Sequence, residues 1–586
     1  MTGFDRDLPF GATLLAPDRT RFRLWAPGHQ KVAVEIEGAG QVAMMRDPEG
    51  WFQADTACGA GTRYRYRLQN GLAVPDPASR AQAEDVHGPS LVVDPRAYRW
   101  QHPEWRGRKW QEAVLYELHA GCLGGFAGVR SLLPDLARLG ITAVELMPIN
   151  DFPGRRNWGY DGVLPYAPDT SYGTPDDLKA LIDAAHGLGL MVFLDVVYNH
   201  FGPDGNYLAA YAPDFFRQDV ATPWGAAIDF RRREVRSFFT ENALYWLMEY
   251  RFDGLRFDAV HAIASPDWLD EMAAQVRATV EAGRHVHLVL EHDGNAADHL
   301  RGGFDAQWND DAHHVLHVLL TGEADGYYAD YADRPAERLA RCLSEGFAYQ
   351  GEPSAYRKGE RRGSPSSDLP PTAFVLFLQN HDQVGNRPLG DRLITRVDAE
   401  ALEAAVALQL LSPQIPLIFM GEESASRAPF LYFTDHHGEL ARAVRDGRRR
   451  EFASFSGFSD GEGVEAIPDP NDPQTFDRSR LETGDETRRA LYRKLLTLRK
   501  AALAPHLAAA RSLSAQAIGP ACVMARWRLG SGAVLALFAN LGRDVCDVEP
   551  PTGDLLFESR VGASEQVRRG RLEGPATVAF LDRGDG

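Results

Sequence analysis

The spacing of apolar and polar positions changes twice along this 586-residue chain. Up to about residue 95, apolar residues alternate with polar ones, as at positions 62–68, and glycine and proline separate the runs. This period of two predicts short strands with one buried face, which indicates a β-sandwich of the immunoglobulin-like or carbohydrate-binding type. The alternation returns after about residue 505, as at positions 533–538, and predicts a second β-sandwich.

Between these ends the pattern changes to continuous apolar runs separated by helical spacing. Eight runs are found, at positions 113–117, 143–147, 191–197, 254–257, 286–290, 304–307, 373–378 and 416–420. Continuous runs of this length are typical of parallel strands that are buried on both faces. Segments 176–188 and 234–250 carry apolar residues at helical spacing, and the first follows Thr174 and Pro175, a typical helix start.

Eight strand–helix units are the number that closes a (β/α)8 barrel. The predicted fold class is therefore α/β: a TIM barrel over residues 96–504, flanked by an N-terminal β-sandwich over 1–95 and a C-terminal one over 505–586. The stretch 350–371 is rich in Gly, Ser, Pro, Lys and Arg. We expect a long surface loop there, between the sixth and seventh units, and insertions at that place often border the active site.

Charge narrows the range of partners. The chain has 81 acidic and 63 basic side chains, a net charge of -18, which disfavours nucleic acid and anionic membrane surfaces. The short basic runs at 231–233 and 448–450 are flanked by acidic residues, as is typical of solvated helix faces. We therefore expect a neutral or cationic substrate.

The ends and the cysteines indicate the compartment. The first seven residues lack the basic start and apolar run of a secretory signal, and no segment reaches membrane-spanning length, so we expect a cytoplasmic protein without a membrane partner. The cysteines are odd in number and scattered, which favours buried thiols over disulfides or a zinc cluster. They are Cys58, Cys122, Cys342, Cys522 and Cys546.

The residues at the ends of the apolar runs are unusually polar. The ends of the third, fourth, fifth and seventh runs carry Asp195, Asn199, His200, Asp258, Glu291, His381 and Asp382. Because the carboxyl ends of barrel strands meet at one mouth, we expect these side chains to converge. Three carboxylates without a Ser, Cys or Lys nucleophile suit glycosidic bond cleavage, in which one ionised carboxylate attacks and one carboxylic acid protonates the departing oxygen.

Two neighbouring residues predict how the carboxylates divide these roles. Arg256 lies two residues before Asp258 and so projects on the same side of the strand, where its charge keeps that carboxylate ionised. Glu291 needs a less polar setting that raises its pKa so that it holds a proton. In a retaining enzyme such a pair lies roughly 5–5.5 Å apart.

Other polar residues suit sugar contacts, although each has a structural alternative. His200 and His381 can donate to hydroxyl groups and Tyr160 offers an aromatic face, but a histidine at a strand end is more often bonded to backbone. Asp195 and Asn199 can equally serve structure. A catalytic metal is disfavoured because no His-x-x-x-His spacing occurs, whereas a Ca²⁺ ion near Asn199 remains open.

Four segments resemble the signature segments of the α-amylase superfamily of glycoside hydrolases: 195–200, 254–263, 290–293 and 378–386. The resemblance covers nearly the whole chain. It implies that Asp258 is the nucleophile, Glu291 the acid/base and Asp382 the carboxylate that stabilises the transition state. The further substrate contacts that it implies are Arg256, His261, His381, Gln383 and Asn386.

Further stretches resemble the malto-oligosyltrehalose trehalohydrolases within that superfamily: 145–162, 256–261, 305–311, 430–436 and 447–452. This resemblance implies hydrolysis of the α-1,4 bond next to the terminal trehalose of maltooligosyl trehalose, without a cofactor. It also implies substrate contacts at Trp308, Asp310 and Asp311, and a functional partner, the maltooligosyl trehalose synthase that makes the substrate.

Two alternatives remain at this stage. Branching enzymes share the N-terminal sandwich and the Trp-Gly-Tyr element at 158–160, and they pass the glycosyl group to a sugar instead of water. A barrel that binds glucan without cleaving it is the second alternative, which the intact carboxylates disfavour. One departure from many relatives is His292, directly after Glu291, where an acidic residue is expected.

Overall fold

A computed structural model describes residues 8–222, 224–452, 461–482 and 484–584. Its centre is a closed barrel of eight parallel strands in sequence order, in which the first strand pairs with the last. The strands are β1 (Leu115–Leu118), β2 (Ala143–Leu146), β3 (Met191–Val196), β4 (Gly254–Phe257), β5 (His287–Leu290), β6 (Ala306–Trp308), β7 (Phe374–Phe377) and β8 (Ile415–Phe419). Each overlaps one of the eight predicted runs, so the predicted barrel is confirmed.

The barrel interior is packed with side chains. Gly254 at the start of β4 shows how tightly: a Cβ atom there would lie 2.1 Å from the ring of Phe193 on β3, so only glycine fits. The main helices around the barrel are Gly125–Leu139, Pro175–Gly187, Arg233–Met248, Asp267–Thr279, Ala297–Arg301, Asp310–Thr321, Pro335–Glu345, Ala399–Leu411 and Glu486–Leu498. Pro175–Gly187 and Arg233–Met248 confirm the two helices predicted from spacing.

Local sequence explains where the first of these two helices begins. Thr174 caps Pro175–Gly187, because its side chain accepts from the Asp177 N–H while the Asp177 side chain accepts from the Thr174 N–H. Such a capping box satisfies two N–H groups that the first helical turn leaves unpaired, and proline fits the first position because it has no N–H to satisfy.

The N-terminal strands form two sheets, as predicted for a β-sandwich. One sheet contains Gly11–Ala16, Arg19–Trp25, Met45–Arg46 and Trp51–Thr56, and the other contains Val32–Ile36, Gly40–Ala43, Arg63–Leu68, Ala73–Val74 and Ser90–Leu91. The sandwich packs against the barrel helix Arg233–Met248, where the rings of Phe10 and Phe238 meet edge to face at 5.1 Å.

The C-terminal part is the second predicted β-rich unit. Its five-stranded sheet contains Arg511–Gly519, Cys522–Arg528, Val534–Asn540, Asp554–Glu558 and Ala576–Asp582, and Cys546–Asp547 pairs with Arg571–Leu572. Trp527 donates its indole N–H to the carbonyl of Leu343 at 3.1 Å, and the Thr577 hydroxyl donates to the carbonyl of Ala404 at 2.7 Å. These bonds hold the sheet against two barrel helices.

Loops extend the carboxyl face of the barrel. They include the strand pairs Asn150–Asp151 with Leu164–Pro168, Phe216–Thr222 with Gly225–Ile228, and Glu352–Pro353 with Arg361–Arg362. The last pair lies in the predicted loop 350–371. Within the described ranges, no helix is both long and apolar enough to cross a membrane. All five cysteines are free thiols, and Cys58 alone of them is half-buried instead of buried.

Candidate active site

Strand register brings the first two predicted carboxylates together. Phe257 on β4 pairs with Leu290 on β5, so the residues that follow them, Asp258 and Glu291, are neighbours at the barrel mouth. Asp382 belongs to the short helix His381–Gly385 that follows β7. The predicted convergence of the three carboxylates therefore occurs at the carboxyl end of the barrel.

A single guanidinium ties this mouth together. Arg256 on β4 is 1% exposed and contacts three carboxylates: Asp195 Oδ2 at 2.5 Å, Glu291 Oε2 at 2.6 Å and Asp258 Oδ1 at 3.0 Å. Its other face lies 4.1 Å above the centre of the Trp308 ring, a cation–π contact. Arg256 therefore positions the carboxylates from beneath and is too buried to contact a substrate, which corrects its predicted role as a substrate contact.

The prediction that Glu291 lies in a less polar setting is wrong, because the Arg256 guanidinium contacts its carboxylate. Burial raises the pKa of Glu291, but Arg256 and the Ala259 N–H outweigh it, and the net pKa is lowered. Burial and the Glu291 carboxylate together raise the pKa of Asp258 well above its usual value. The long Arg256 side chain reaches across to the neighbouring strand, which the alternation along β4 alone does not reveal. The directions of these two shifts favour a protonated Asp258 beside an ionised Glu291, contrary to the prediction that Arg256 keeps Asp258 ionised.

Backbone strain helps to place Glu291. Ala259, directly after Asp258, has φ 39°, in the left-handed region that residues with a Cβ seldom adopt. This turn directs the Ala259 N–H to Glu291 Oε2 at 2.8 Å. Strained backbone of this kind clusters at functional sites, where the surrounding structure holds it in place.

His381 is positioned by a residue that sequence reasoning missed. Glu117 at β1 accepts from His381 Nδ1 at 2.5 Å and from the His381 N–H at 2.9 Å. Burial lowers the pKa of His381, but the Glu117 carboxylate outweighs it and the net pKa is raised. The Tyr160 hydroxyl lies 2.8 Å from His381 Nε2, and the two rings stack. Glu117 was detectable as an acidic residue at the end of an apolar run.

His200 is buried at the edge of the mouth. Its Nε2 lies 2.9 Å from the carbonyl of Tyr160, and its ring stacks on Trp224 with centres 4.7 Å apart. Burial lowers the pKa of His200 to about 4. The ring is therefore neutral at neutral pH. Across the described ranges, no group of three or more His, Cys, Asp and Glu side chains is arranged to hold a metal ion.

A cavity of ≈ 640 Å³ opens beside Glu291 and Asp382. Four other predicted residues line it: His261, Asp310, Gln383 and Asn386. Asn386 donates its amide to Asp382 Oδ1, which fixes the orientation of that carboxylate. Burial, followed by the Glu291 carboxylate, raises the pKa of Asp310 well above its usual value.

Trp308 and Asp311, which were predicted to contact substrate, do not line this cavity. Trp308 is 1% exposed and packs beneath Arg256, so it supports the guanidinium instead of a sugar. Asp311 is fully buried and accepts from Arg362 at 2.5 Å and from the Tyr331 hydroxyl at 2.5 Å. Asp310 and Asp311 are adjacent at the start of the helix Asp310–Thr321, so their side chains point in different directions. Only the side chain of Asp310 therefore lines the cavity.

Much of the cavity wall comes from loop residues that sequence reasoning did not assign. The loop 350–371 contributes Tyr356, Arg357, Lys358, Glu360 and Arg362, and the segment Gly326–Tyr331 contributes Tyr327 and Tyr331. Arg357 pairs with Asp293, two residues after Glu291, which ties this loop to the catalytic strand. The composition of the loop placed it near the site, but its contacts depend on the fold.

Comparisons with known proteins agree with this geometry. Residues 95–221 match the alpha amylase catalytic domain, and residues 510–581 match a domain of unknown function, DUF3459. A malto-oligosyltrehalose trehalohydrolase from Deinococcus radiodurans is 43% identical over 498 residues, which cover 82% of this chain and 81% of that protein. A crystal structure from Salmonella typhimurium, described as an alpha amylase, is 45% identical with a TM-score of 0.92, covering 98% of this chain and 100% of that one.

A branching enzyme is a more distant match. The 1,4-alpha-glucan branching enzyme of Thiobacillus denitrificans is 33% identical over 319 residues, which cover 48% of this chain and 42% of that protein. The likeness to this branching enzyme thus covers about half of the chain, whereas the likeness to the malto-oligosyltrehalose trehalohydrolase of Deinococcus radiodurans covers 82% of it.

Proposed function

Since the chain belongs to the malto-oligosyltrehalose trehalohydrolase family, we propose that it hydrolyses the α-1,4-glucosidic bond next to the terminal trehalose of maltooligosyl trehalose. The products are trehalose and a maltooligosaccharide. The observation that carries the chemistry is the convergence of Asp258 and Glu291, which directly follow paired residues of neighbouring strands and both contact the buried Arg256 guanidinium.

The closeness of the pair supports retention of anomeric configuration. An inverting enzyme needs its carboxyl groups roughly 6.5–9.5 Å apart, so that a water molecule fits between one of them and the sugar. Asp258 and Glu291 are both held by one guanidinium, with Asp258 Oδ1 3.0 Å and Glu291 Oε2 2.6 Å from its two Nη atoms, which favours the closer spacing of a retaining pair. We therefore assign Asp258 as the nucleophile and Glu291 as the acid/base.

The reaction then takes two steps. The Asp258 carboxylate forms a bond to the anomeric carbon while Glu291 gives its proton to the departing trehalose oxygen. Glu291, now ionised, takes a proton from water, and the resulting nucleophile releases the maltooligosaccharide from Asp258. This first step requires Asp258 ionised and Glu291 protonated, whereas the pKa of Asp258 is raised and that of Glu291 is lowered, so the proton passes from Asp258 to Glu291 before the glycosidic bond breaks.

The remaining cavity residues suit contacts with sugar hydroxyl groups. Asp382, whose orientation Asn386 fixes, accepts from hydroxyl groups of the sugar whose bond is cleaved. His261 and Gln383 lie on the wall of the same cavity and donate to that sugar. Tyr160, with its ring stacked on His381, offers an aromatic edge to that sugar. Asp310 lines the same cavity and suits a contact with the next ring.

The loop side of the cavity suits the departing trehalose. Tyr356 is 55% exposed there. Arg357 and Lys358 add two hydrogen-bond donors to this rim, and Glu360 adds an acceptor. Trehalose has hydroxyl groups around both rings and no reducing end, so a rim of charged donors and acceptors with one aromatic face complements it.

Product analysis tests this proposal against transfer. Incubation of the protein with maltotriosyl trehalose is expected to yield trehalose and maltotriose in equal amounts. Formation of α-1,6 branches in amylose, without trehalose release, would instead identify a branching enzyme. Asp258→Ala is expected to abolish turnover while the protein still folds and binds glucan. Equal activity of this variant would refute the assigned nucleophile.

Two further expectations belong to the same proposal. The substrate requires an enzyme that builds a trehalose end onto a maltooligosaccharide, and we propose a maltooligosyl trehalose synthase as the functional partner. We also propose that both act in the cytoplasm, where glucan stores are available. Co-purification is not required, because the product of the first enzyme is a diffusible substrate of the second.

A further inference from the structure

A second cavity lies at the opposite end of the barrel from the carboxylates. It has a volume of ≈ 380 Å³ and is lined by Val114 and Thr142, which directly precede β1 and β2. Ala504 and Pro505, where the chain leaves the barrel for the C-terminal sheet, form another wall. The cavity is thus at the amino-terminal face of the barrel, where the barrel meets the C-terminal sheet, and junctions between domains are places where ligand sites occur.

The charge of this cavity contrasts with that of the protein. Four cations line it, Arg108, Lys109, Arg499 and Lys500, against one carboxylate, Glu112, in a chain of net charge -18. Glu112 pairs with Arg108 at 3.1 Å. Both lysines are exposed, and among the described residues neither forms an ion pair. The cavity is therefore a local positive region that attracts anions.

Arg499 gives the cavity a buried cation. Its side chain is 1% exposed and donates to the carbonyls of Leu410 at 3.1 Å, Ser412 at 2.6 Å and Gln414 at 2.6 Å. These carbonyls end the helix Ala399–Leu411 and offset the charge only in part. Burial lowers the pKa of Arg499 to about 9, so its charge is held at a cost that a bound anion would reduce.

The backbone around Arg499 is also unusual. Residues Arg499–Leu503 form a π-helical turn after the helix Glu486–Leu498, and its first two residues, Arg499 and Lys500, both line the cavity. Such turns are rare and occur frequently at functional sites because they shift side chains out of the regular helical spacing. The turn thereby brings two consecutive cations to one wall.

The rest of the lining indicates what kind of anion fits. Val114, Leu496 and Ala504 contribute apolar surface, and Gln111 adds an amide. A volume of ≈ 380 Å³ exceeds what inorganic phosphate fills and falls in the range of small-molecule sites. Several convergent cations favour a doubly charged head group over a single carboxylate.

We propose that this cavity binds a phosphorylated sugar of monosaccharide size. The phosphate lies between the exposed Lys109 and Lys500, where the buried Arg499 adds positive charge without contacting it, and the sugar ring lies on the apolar wall with hydroxyl groups near Gln111 and Glu112. The site is separate from the catalytic cavity because the two open at opposite ends of the barrel. It does not depend on the proposed reaction.

Calorimetric titration of the full-length protein with glucose 6-phosphate at low salt tests the proposal. Lys109→Ala/Lys500→Ala is expected to weaken binding by about tenfold or more, because two exposed cations are removed without changing the core. The control is Lys31→Ala/Arg571→Ala, which removes two exposed cations elsewhere and should leave binding unchanged. Arg499 is not replaced because it also caps a helix.

The outcomes separate the possible results. The proposed site would be refuted if glucose 6-phosphate did not bind, or if it bound equally to both double variants. Inorganic phosphate that binds as tightly as glucose 6-phosphate would overturn the sugar part of the proposal, and glucuronate that does so would overturn the preference for phosphate. Asp258→Ala protein should bind glucose 6-phosphate normally, which keeps this result independent of catalysis.

Discussion

Arg256 Nη2 lies 2.6 Å from Glu291 Oε2, closer than any contact of this guanidinium with Asp258, whose Oδ1 is 3.0 Å from Nη1. The assigned acid/base, and not the assigned nucleophile, is thus the nearer partner of the buried cation. The substrate-free protein therefore lowers the pKa of Glu291, although the reaction needs Glu291 protonated. Because Arg256 contacts both carboxyl groups, small changes in these two distances alter whether Asp258 or Glu291 holds the proton.

Replacing Arg256 with lysine is expected to lower kcat by about 100-fold or more, because one ammonium group cannot bridge carboxylates on two strands. It also loses part of the charge effect that lowers the pKa of the pair. The acidic limb of the kcat/KM profile reports the carboxyl group that must be ionised, so it should move to higher pH. An unchanged pH profile would show that Arg256 has only a structural role.

Glu291→Gln should affect substrates according to their leaving groups. Release of trehalose, a poor leaving group, is expected to fall by about 10²–10⁴-fold, because protonation by the acid is lost. Formation of the glycosyl-enzyme from a 4-nitrophenyl maltooligoside should fall far less, since nitrophenolate leaves without a proton. A burst of nitrophenol measures that step. Equal losses for both substrates would contradict the acid role, and Asp258→Ala serves as the control that loses both.

The adjacent residues Asp310 and Asp311 should respond in opposite ways. Asp311→Ala removes the nearest carboxylate partner of the buried Arg362 and is expected to cost about 3–5 kcal/mol of unfolding free energy, measured in urea. Asp310→Asn removes a half-buried carboxyl from the cavity, and should alter KM with little change in stability. Equal loss of stability in the two variants would contradict this assignment.

Two buried acids beneath the loop after β2 predict a pH-dependent stability. Burial raises the pKa of Asp169 to about 7, and burial together with Asp169 raises that of Asp151. Because both are raised, their contribution to stability is complete below pH 3.8 and is lost as pH rises through about 7. Asp151→Asn should therefore reduce the fall in Tm between pH 5.5 and pH 8.

The matched control for this measurement is Glu439→Gln, which neutralises a carboxylate that is 98% exposed. Its pH dependence of Tm should match that of the unaltered protein, because this carboxylate is exposed to water in the folded chain as in the unfolded one. If the Tm of Asp151→Asn fell between pH 5.5 and pH 8 by as much as that of the unaltered protein, Asp151 and Asp169 would not set the pH dependence of stability.

Sequence alone determined the barrel and the convergence of its carboxylates. Strands buried on both faces must be apolar throughout, so β1 to β8 were visible as runs, and the barrel brings the residues that follow them to one mouth. Asp258, Glu291 and Asp382 could be found because covalent position at a strand end decides where they lie.

Only the tertiary structure decided what those residues contact. Arg256 reaches Glu291 across a strand boundary, Trp308 lies under Arg256 and not against a sugar, and the loop 350–371 supplies Tyr356 and Arg357 to the cavity. Long side chains and loops meet partners far away in sequence, and no local pattern encodes those distances. The pKa of each carboxyl group depends on these contacts, so its protonation is a property of the fold.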